Sequence, residues 1–273
     1  MARMPVTILE RPYLYQTMVD PSPSEQTQTM TMEIVLANAA SFQITMMKQN
    51  GFKKDGLKGE YSGDKFGRSV SMAKHGDVVA IGAYLNDNNG MNSGSVAIFS
   101  YRKDVTAWQP LGTAINGDCI SEFLGRSVSL SDDGQVVAVG APRGCYISNV
   151  LAGHTRIYAY NSSLLDWVQM GEDIAEEANY DRSGTSVSLS ADGKIVAIGA
   201  SSNDGNGNNS GHGRMFKYDG SAWSQIGDDI DGKSAWDLFG QSVSLLGDGL
   251  TVAFGASGGD YSGRVLIYKY APA

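Results

Sequence analysis

Histidine and cysteine are scarce in this sequence, and their scarcity limits the chemistry that it offers. The 273 residues include 3 histidines and 2 cysteines, too few for a disulfide framework and without companions at the spacing of zinc ligands. No nucleophile elbow and no phosphate-binding glycine loop followed by a helix is visible. We therefore expect no catalysis and no cofactor. The histidines, which we expect to be isolated surface residues, are His75, His154 and His212.

Long apolar runs and basic clusters are also missing. No stretch is long and apolar enough to cross a membrane, and residues 1–16 lack the charged-then-apolar pattern of a secretory signal. The compartment stays open, since either the protein is intracellular or a leader lies outside this sequence. The net charge is −8, with no basic run. Because nucleic-acid binding needs clustered lysine and arginine, we expect no nucleic acid among the partners.

Glycine is abundant instead, and much of it belongs to an internal repeat. The 34 glycines follow no collagen-like period, which indicates many tight turns. Four segments align without gaps, for example LGRSVSLSDDGQVVAVGA, and their first residues lie 58, 59 and 56 positions apart (124 − 66, 183 − 124 and 239 − 183). Such a period is close to that of propeller blades. The segments begin at Phe66, Leu124, Ser183 and Phe239.

Each repeat has the pattern of four antiparallel strands. In the first strand small hydroxyl residues alternate with aliphatic ones, as in residues 69–72, which is the period of two of a β-strand. An Asp-Gly hairpin turn such as Asp133-Gly134 follows, and then a continuously apolar strand such as residues 136–141, typical of burial on both faces. The third strand has aromatic residues two apart. The fourth carries a tryptophan, Trp108, Trp167 or Trp223, which we expect to pack between blades rather than to stack on carbohydrate. Four strands per repeat predict an all-β propeller.

The repeat resembles the FG-GAP repeat family, known from the head propeller of integrin α-chains. Phe66-Gly67 and Phe239-Gly240 match its Phe-Gly element, and Gly140-Ala141-Pro142 matches its Gly-Ala-Pro element, over about residues 50–270. The resemblance implies adhesion or scaffolding, often extracellular or at the cell surface. Calcium-binding members of the family have an Asp-rich loop between the first two strands. Here that loop is a short Asp-Gly turn, so we expect no calcium site in it.

The predicted architecture is one propeller domain in two parts. Residues 66–273 hold the four FG-GAP-like repeats, and residues 1–65 are interpreted as a degenerate N-terminal repeat and closing segment, without a recognisable Phe-Gly strand of its own. The last repeat has no fourth strand, and residues 6–10 are one candidate to supply it. We favour five blades, four clear and one degenerate, over four. A fragment of a longer propeller is an alternative that the sequence leaves open.

Loops that differ in length between repeats should lie on one side of the propeller, where second strands end and first strands begin. We call this side the loop face and predict that it binds the partner, because variable loops on a rigid scaffold usually carry binding. The candidate partner-binding residues are Asn86, Asp87, Asn88, Arg143, Tyr146, Asp204, Asn206, Asn208, Asp260 and Tyr261.

One of these loops also has a weak resemblance to a metal site. Asp204, Asn206 and Asn208 have the spacing that opens an EF-hand calcium loop. The glycine at the sixth position and the downstream glutamate are missing, however, and plain turns use the same residue types. We therefore predict no metal.

The two cysteines belong to one repeat. Cys119 lies in the loop that leads into the first strand and Cys145 in the loop after the second strand, so both should emerge side by side on the loop face. A disulfide requires Cα atoms within about 7 Å, which this topology permits, and it would indicate an oxidising compartment. Two unrelated thiols near one surface fit the sequence equally well.

The predicted function is therefore non-enzymatic: a recognition or scaffolding module that presents its loop face to a protein or glycan, or a structural subunit of a larger assembly. The alternative is a propeller-type glycan hydrolase or lyase with a site at the central pore. Such an enzyme should place carboxylates or histidines at the inner ends of the first strands. These positions hold Arg68, Arg126, Thr185 and Gln241, which argues against acid–base catalysis.

Overall fold

The repeats form strands, as their alternation predicts. The structure, a computed structural model, describes residues 56–145, 151–175, 178–259 and 262–271, together with the backbone of three N-terminal strands. Every helix-or-strand element in this part of the chain is a β-strand, which confirms the all-β prediction. Within the same residues no helix is long and apolar enough to cross a membrane.

Four consecutive antiparallel sheets, here called blades 1 to 4, correspond to the four repeats. In blades 1 to 3 the strand order follows the chain, and a short fifth strand pairs with the third. Blade 4 has three described strands. Blade 1 comprises β4 (Ser69–Met72), β5 (Val78–Ala83), β6 (Ser95–Arg102), β7 (Ala107–Pro110) and β8 (Ile115–Asn116); blade 2 comprises β9 (Ser127–Leu130), β10 (Val136–Ala141), β11 (His154–Asn161), β12 (Asp166–Gln169) and β13 (Ile174–Ala175); blade 3 comprises β14 (Ser183–Leu189), β15 (Ile195–Ala200), β16 (His212–Tyr218), β17 (Trp223–Gln225) and β18 (Ile230–Asp231); blade 4 comprises β19 (Phe239–Leu245), β20 (Thr251–Ala256) and β21 (Arg264–Lys269).

The N-terminal strands form a three-stranded antiparallel sheet. They are β1 (Gln16–Met18), β2 (Met30–Val35) and β3 (Gln43–Met47), in the order β1-β2-β3. The interpretation of residues 1–65 as a degenerate repeat stays a prediction. The suggested closing strand, residues 6–10, lies outside the described residues.

The Asp-Gly turns between first and second strands are held by their own aspartates. Asp133 Oδ1 accepts hydrogen bonds from Ser131 Oγ (2.6 Å) and Gln135 N (2.9 Å). Gly134 has a φ of 68°, which glycine adopts without a Cβ penalty. Local chemistry therefore fixes the register of the first two strands in a repeat.

The hydrophobic core lies between blades rather than inside one blade. Val137 and Val139 of β10 are buried in one cluster with Val96 and Ile98 of blade 1. On the other face of β10, Ala138 belongs to a cluster that includes Val196 of blade 3. A strand that is buried on both faces needs a continuous apolar run, which explains the sequence of the second strands.

Two of the three tryptophans of the fourth strands, Trp167 and Trp223, take the packing role that the sequence predicts, whereas the half-buried Trp108 contacts Tyr101 of its own blade and is in none of the described core clusters. Trp167 is buried in the cluster between blades 1 and 2, and Trp223 packs on the cluster between blades 2 and 3. Each tryptophan also contacts a tyrosine of its own third strand, with a ring-centroid distance of 5.4 Å for Tyr160 and Trp167. Burial on this scale leaves Trp167 unavailable for carbohydrate stacking.

Candidate functional site

A cavity of about 650 Å³ opens on the loop face. Its walls come from the loops after second strands and from the segments that lead into first strands, so all four blades contribute. The residues used below that line it are Tyr84, Phe123, Arg126, Arg143, Arg182, Thr185, Ser201 and Gln241. The cavity therefore lies on the face that loop-length variation singles out in the sequence.

Arginine dominates the charge of this cavity. Arg126 and Arg182 begin the first-strand segments of blades 2 and 3, and Arg143 follows the second strand of blade 2. No aspartate or glutamate is among the described lining residues, and none of these three guanidinium groups forms an ion pair with a described residue. In a protein of net charge −8, this is a local concentration of unpaired positive charge.

The arginines also affect one another. The pKa of Arg126 is lowered by burial first, and then by the positive charges of Arg68 and Arg182. Like charges disfavour the charged form. Because a guanidinium stays protonated at neutral pH, the repulsion is relieved by an anion rather than by loss of a proton. The cavity is electrostatically prepared for a negatively charged ligand.

Aromatic rings hold two of the guanidinium groups in place. Arg126 Cζ lies 5.3 Å from the ring centroid of Tyr84, and Arg143 Cζ lies 4.6 Å from that of Phe123. The two rings contact each other edge to face at 5.6 Å. Cation–π contacts of this kind orient a guanidinium without neutralising it, so its charge remains available to a ligand.

The segments that lead into the first strands share a backbone feature. The residue before each Phe-Gly-type pair has a positive φ, with values of 59°, 63°, 62° and 54° for Lys65, Phe123, Arg182 and Leu238. This left-handed conformation is uncommon for residues other than glycine, and strained backbone often clusters at functional sites. In this protein it turns Phe123, Arg182 and Leu238 towards the cavity that they line.

A buried acidic residue precedes each of these positions, and the sequence analysis did not identify it. Asp64 Oδ2 accepts a hydrogen bond of 2.7 Å from Asn86 Nδ2, and Asp181 Oδ2 accepts one of 2.9 Å from Asn203 Nδ2. The sequence shows these residues as an acid two positions before each Phe-Gly-type pair. The four acids are Asp64, Glu122, Asp181 and Asp237, all buried.

Most of the predicted partner-binding residues that the structure describes bond to their own loops or to neighbouring segments of the same blade. Asn86 is buried, and Asp87 Oδ1 accepts a hydrogen bond from Asn92 N (2.7 Å). Asn88 Nδ2 donates to Asn116 Oδ1 (3.3 Å). Arg143 lines the cavity. Tyr146, Asp260 and Tyr261 lie outside the described residues.

The loop with the EF-hand spacing uses its polar groups to hold its own backbone and that of the segment after β18. Asp204 Oδ1 accepts a hydrogen bond from Asn209 N (2.7 Å), and Asn206 Nδ2 donates to Gly232 O (3.0 Å). Asn208 Oδ1 accepts from Asn209 Nδ2. The pattern that resembles a calcium loop therefore corresponds here to turn-forming hydrogen bonds.

Cys119 and Cys145 form a disulfide, with Cα atoms 5.6 Å apart. It joins the segment that leads into β9 with the loop after β10, which is the side-by-side arrangement that the topology permits. Glu122 lies beside it, but the group Cys119, Glu122 and Cys145 is no metal site, because both sulfurs are used by the disulfide.

Glu122 is the centre of a buried ionic cluster below the disulfide. It accepts hydrogen bonds from Asp118 N (2.6 Å) and Cys119 N (3.1 Å), and its Oε1 lies 3.0 Å from His154 Nε2 and 2.9 Å from Arg156 Nη1. Burial favours a higher pKa for Glu122, but the hydrogen bond with His154 and the charge of Arg156 outweigh it, and the pKa is lowered. His154 and His212, both expected at the surface, are buried instead.

Comparison with known proteins identifies the repeat. Residues 59–99 match the family model of the FG-GAP repeat. The family resemblance stated from the sequence is thereby confirmed for blade 1. No curated protein matches the chain.

Two solved structures resemble this chain in fold. One is a protein from Bacteroides uniformis ATCC 8492 assigned as a 6-phosphogluconolactonase, with 11% identity, a TM-score of 0.55 and coverage of 89% of this chain and 63% of that one. The other is the periplasmic gluconolactonase of Pseudomonas aeruginosa, with 12% identity, a TM-score of 0.50 and coverage of 90% and 69%. The chain thus spans less than two thirds of the first structure. At such identities the likeness concerns the fold.

These matches contradict the prediction of a non-enzymatic recognition or scaffolding module, and with it the prediction that the chain is no enzyme. Both similar structures have the names of lactone-hydrolysing enzymes, which favours the hydrolase alternative. The prediction failed because the sequence was searched for carboxylates and histidines at the inner ends of the first strands. Chemistry that needs positive charge can use the arginines found there.

Proposed function

We propose that this chain is a β-propeller hydrolase that opens an anionic sugar lactone in the cavity on the loop face. The four described sheets are the propeller blades in this proposal, and the cavity lies where their loops converge. The observation that carries it is a cavity lined by Arg126, Arg143 and Arg182 and, among its described residues, by no carboxylate.

The residues that line the cavity favour a lactone over a glycoside as the substrate. Glycoside hydrolysis usually needs two carboxylic acids on opposite sides of the scissile bond, roughly 5–10 Å apart. The acids next in sequence to lining residues, Glu122, Asp181 and Asp237, are buried. Other side chains engage each of them: His154 and Arg156 for Glu122, Asn203 for Asp181 and Arg264 for Asp237. A lyase would likewise need a base to abstract a proton.

Lactone hydrolysis places a different demand on the protein. Water adds to the ester carbonyl carbon, negative charge develops on the carbonyl oxygen, the ring C–O bond breaks, and a hydroxy acid is released. Positive groups aimed at the carbonyl oxygen lower the barrier because they stabilise that charge. In this proposal Arg126, held against Tyr84, faces the carbonyl, and the neighbouring guanidinium groups bind the anionic substituent of the substrate.

Hydroxyl groups beside the arginines complete the polar surface. Thr185 Oγ1 donates a hydrogen bond to Arg182 O (2.7 Å) and accepts one from Ser201 Oγ (3.4 Å). Both residues, with Gln241, line the cavity and offer hydrogen bonds suited to sugar hydroxyls. No base lies within hydrogen-bond distance of either hydroxyl among the described side chains, so we assign them to substrate binding and not to nucleophilic attack.

A substrate panel tests the class of reaction. The chain should accelerate opening of 6-phosphogluconolactone above its spontaneous rate, with gluconolactone slower because it lacks the anion. Aryl glycosides, which need paired carboxylates, should not be cleaved. Proton release at fixed pH measures the opening of the two lactones, and release of the aryl group measures cleavage of the glycosides. Cleavage of glycosides without lactone opening would refute the proposal. Faster turnover of gluconolactone than of 6-phosphogluconolactone would refute the claim that the substrate is an anion.

A further inference from the structure

The interfaces between blades repeat one pair of hydrogen bonds. At the interface between blades 2 and 3, Ser127 Oγ donates to the carbonyl of Gly184 (2.8 Å), and Ser129 Oγ accepts from the amide of Leu189 (3.0 Å). The same pair recurs at the two other described interfaces. There Ser69 and Ser186 donate to Gly125 and Gly240, and Ser71 and Ser188 accept from Leu130 and Leu245. In blades 1 to 3 the two serines of the first strand therefore bind the first strand of the next blade.

A glycine in the second strand belongs to the same contact. A Cβ on Gly140 would collide with the carbonyl of Gly184 in the next blade. Gly82 and Gly199 have the same relationship to Gly125 and Gly240. A blade on which the next blade packs thus has a glycine in its second strand and two serines in its first strand.

Blade 4 retains these features with no described blade against them. Ser242, Ser244 and Gly255 occupy the three positions, and both serines are exposed. Ile267 in its third strand is 72% exposed. Its counterparts in blades 1 to 3, which the register places at the same position, are Ile98, Ile157 and Met215, exposed by 2%, 1% and 5%.

Blade 1 presents the complementary face. Val70 and Met72 of its first strand are 37% and 41% exposed. In blades 2 and 3 the corresponding side chains, Val128, Leu130, Val187 and Leu189, are buried against the preceding blade. The described chain therefore exposes both halves of an interface that it forms three times internally.

We propose that these two faces bind each other between molecules, with blade 4 of one copy packed on blade 1 of a second copy. In this arrangement Ser242 donates to the carbonyl of Gly67, Ser244 accepts from the amide of Met72, and Ile267 packs on Val70. The interface joins two different surfaces, so it links copies head to tail and closes into a ring if the rotation permits.

A second copy fits the open face better than this chain's own N-terminal segment does. Every described interface is completed by a Phe-Gly-type first strand, which contributes the glycine carbonyl and the aliphatic amide. Residues 1–65 have no recognisable strand of this type, whereas blade 1 has Phe66-Gly67. Self-pairing between two copies of the same face lacks the partner groups too, because it would set serines opposite serines.

Complementing variants of the full chain test the proposal. We expect wild-type protein to associate with rising concentration in sedimentation velocity. Ile267→Arg removes the blade 4 face and Met72→Arg the blade 1 face, so each should be monomeric alone. Their equimolar mixture should form dimers and nothing larger, because one intact face remains on each partner. Leu164→Arg, at an exposed turn position, is the matched control and should associate like the wild type.

A cysteine pair distinguishes the other occupants. Ser71 Oγ and Leu130 N are 2.9 Å apart in the equivalent contact, so mixed Ser244→Cys and Met72→Cys chains should form a covalent heterodimer under mild oxidation, and neither should do so alone. A monomeric wild type with no cross-link overturns the proposal. An intramolecular bond in the double variant also overturns it, since the chain would close on itself. If the Ser244→Cys variant is monomeric and its thiol is protected from thiol reagents, the open face of blade 4 is covered by residues 1–55 instead of by a second copy.

Discussion

Trp167 in blade 2 donates a hydrogen bond of 2.7 Å from its indole nitrogen to the carbonyl of Leu111 in blade 1. Trp223 in blade 3 makes the same bond to Met170 in blade 2. The contact attaches the outer part of each blade to its predecessor, while the serines of the first strands attach the inner part to its successor. Blades 1 and 2 and blades 2 and 3 are therefore joined by two separate sets of hydrogen bonds, one from the first strand and one from the fourth.

Truncation of the Trp167 side chain should strongly destabilise the fold. Trp167→Ala removes a buried ring and its bond, and we expect the free energy of unfolding to fall by about 3–5 kcal/mol. Trp167→Phe keeps most of the packing and loses the hydrogen bond, which costs about 1 kcal/mol plus the unsatisfied carbonyl. Urea unfolding measures both. Trp236→Ala, at an exposed position, should leave stability nearly unchanged; equal losses at both sites would show that Trp167 does not join the blades.

Gly140 should not tolerate a methyl group. Gly140→Ala would place its Cβ against the backbone of Gly184 in the next blade, which cannot move without separating blades 2 and 3. We expect a loss of stability of more than about 3 kcal/mol or failure to fold. Gly255→Ala is the matched control, because its nearest neighbour is the hydroxyl of Ser242, a side chain that can rotate. Similar melting temperatures for the two variants would contradict the described interface.

Reduction of the disulfide should destabilise the loop face. The bond joins residues 26 positions apart, and chain-entropy reasoning gives about 3 kcal/mol for a loop of this size. Dithiothreitol should therefore lower the urea midpoint of the wild type. The Cys119→Ser/Cys145→Ser variant should start at the lower midpoint and show no response to dithiothreitol, and a response in that variant would assign the effect to something else.

Low pH should disrupt the ionic cluster around Glu122 and lower the stability of the fold. Its pKa is lower in the folded protein than in the unfolded chain, so it contributes stability above the unfolded value of about 4.3, and this contribution is lost as pH falls through the folded pKa. Between roughly pH 5 and pH 3 the wild type should lose more stability than Glu122→Gln does. Glu172→Gln, at an exposed position, should follow the wild type; parallel curves for all three proteins would contradict the cluster.

The fold could be read from the sequence because its signals are local and repeated four times. Alternation in residues 69–72, the turn at Asp133-Gly134 and the apolar run at residues 136–141 each concern neighbours along the chain. The disulfide was less certain, because the distance between Cys119 and Cys145 depends on two loops whose path is set by the rest of the blade.

The cavity was missed for a physical reason. Arg126 and Arg182 are 56 residues apart (182 − 126), and their charges converge only when blades 2 and 3 pack together and both residues line one cavity. The sequence analysis placed more weight on the Asn- and Asp-rich loops, although Asn86 holds its own turn through Asn88 N and binds the buried Asp64. The repetition of arginine at Arg68 and Arg126 was one signal that could have been used, whereas Arg182 stands where the other repeats have Lys65, Phe123 and Leu238.

The central claim is that unpaired guanidinium groups in the cavity stabilise charge during lactone opening, and one comparison of kcat/KM tests it most directly. Arg126→Ala should reduce kcat/KM for 6-phosphogluconolactone by about 100-fold, as loss of one oxyanion-stabilising group does elsewhere. Arg102→Ala, which removes an exposed arginine paired with Asp104, should leave it unchanged. An unchanged value in Arg126→Ala, with the protein folded, would contradict the account.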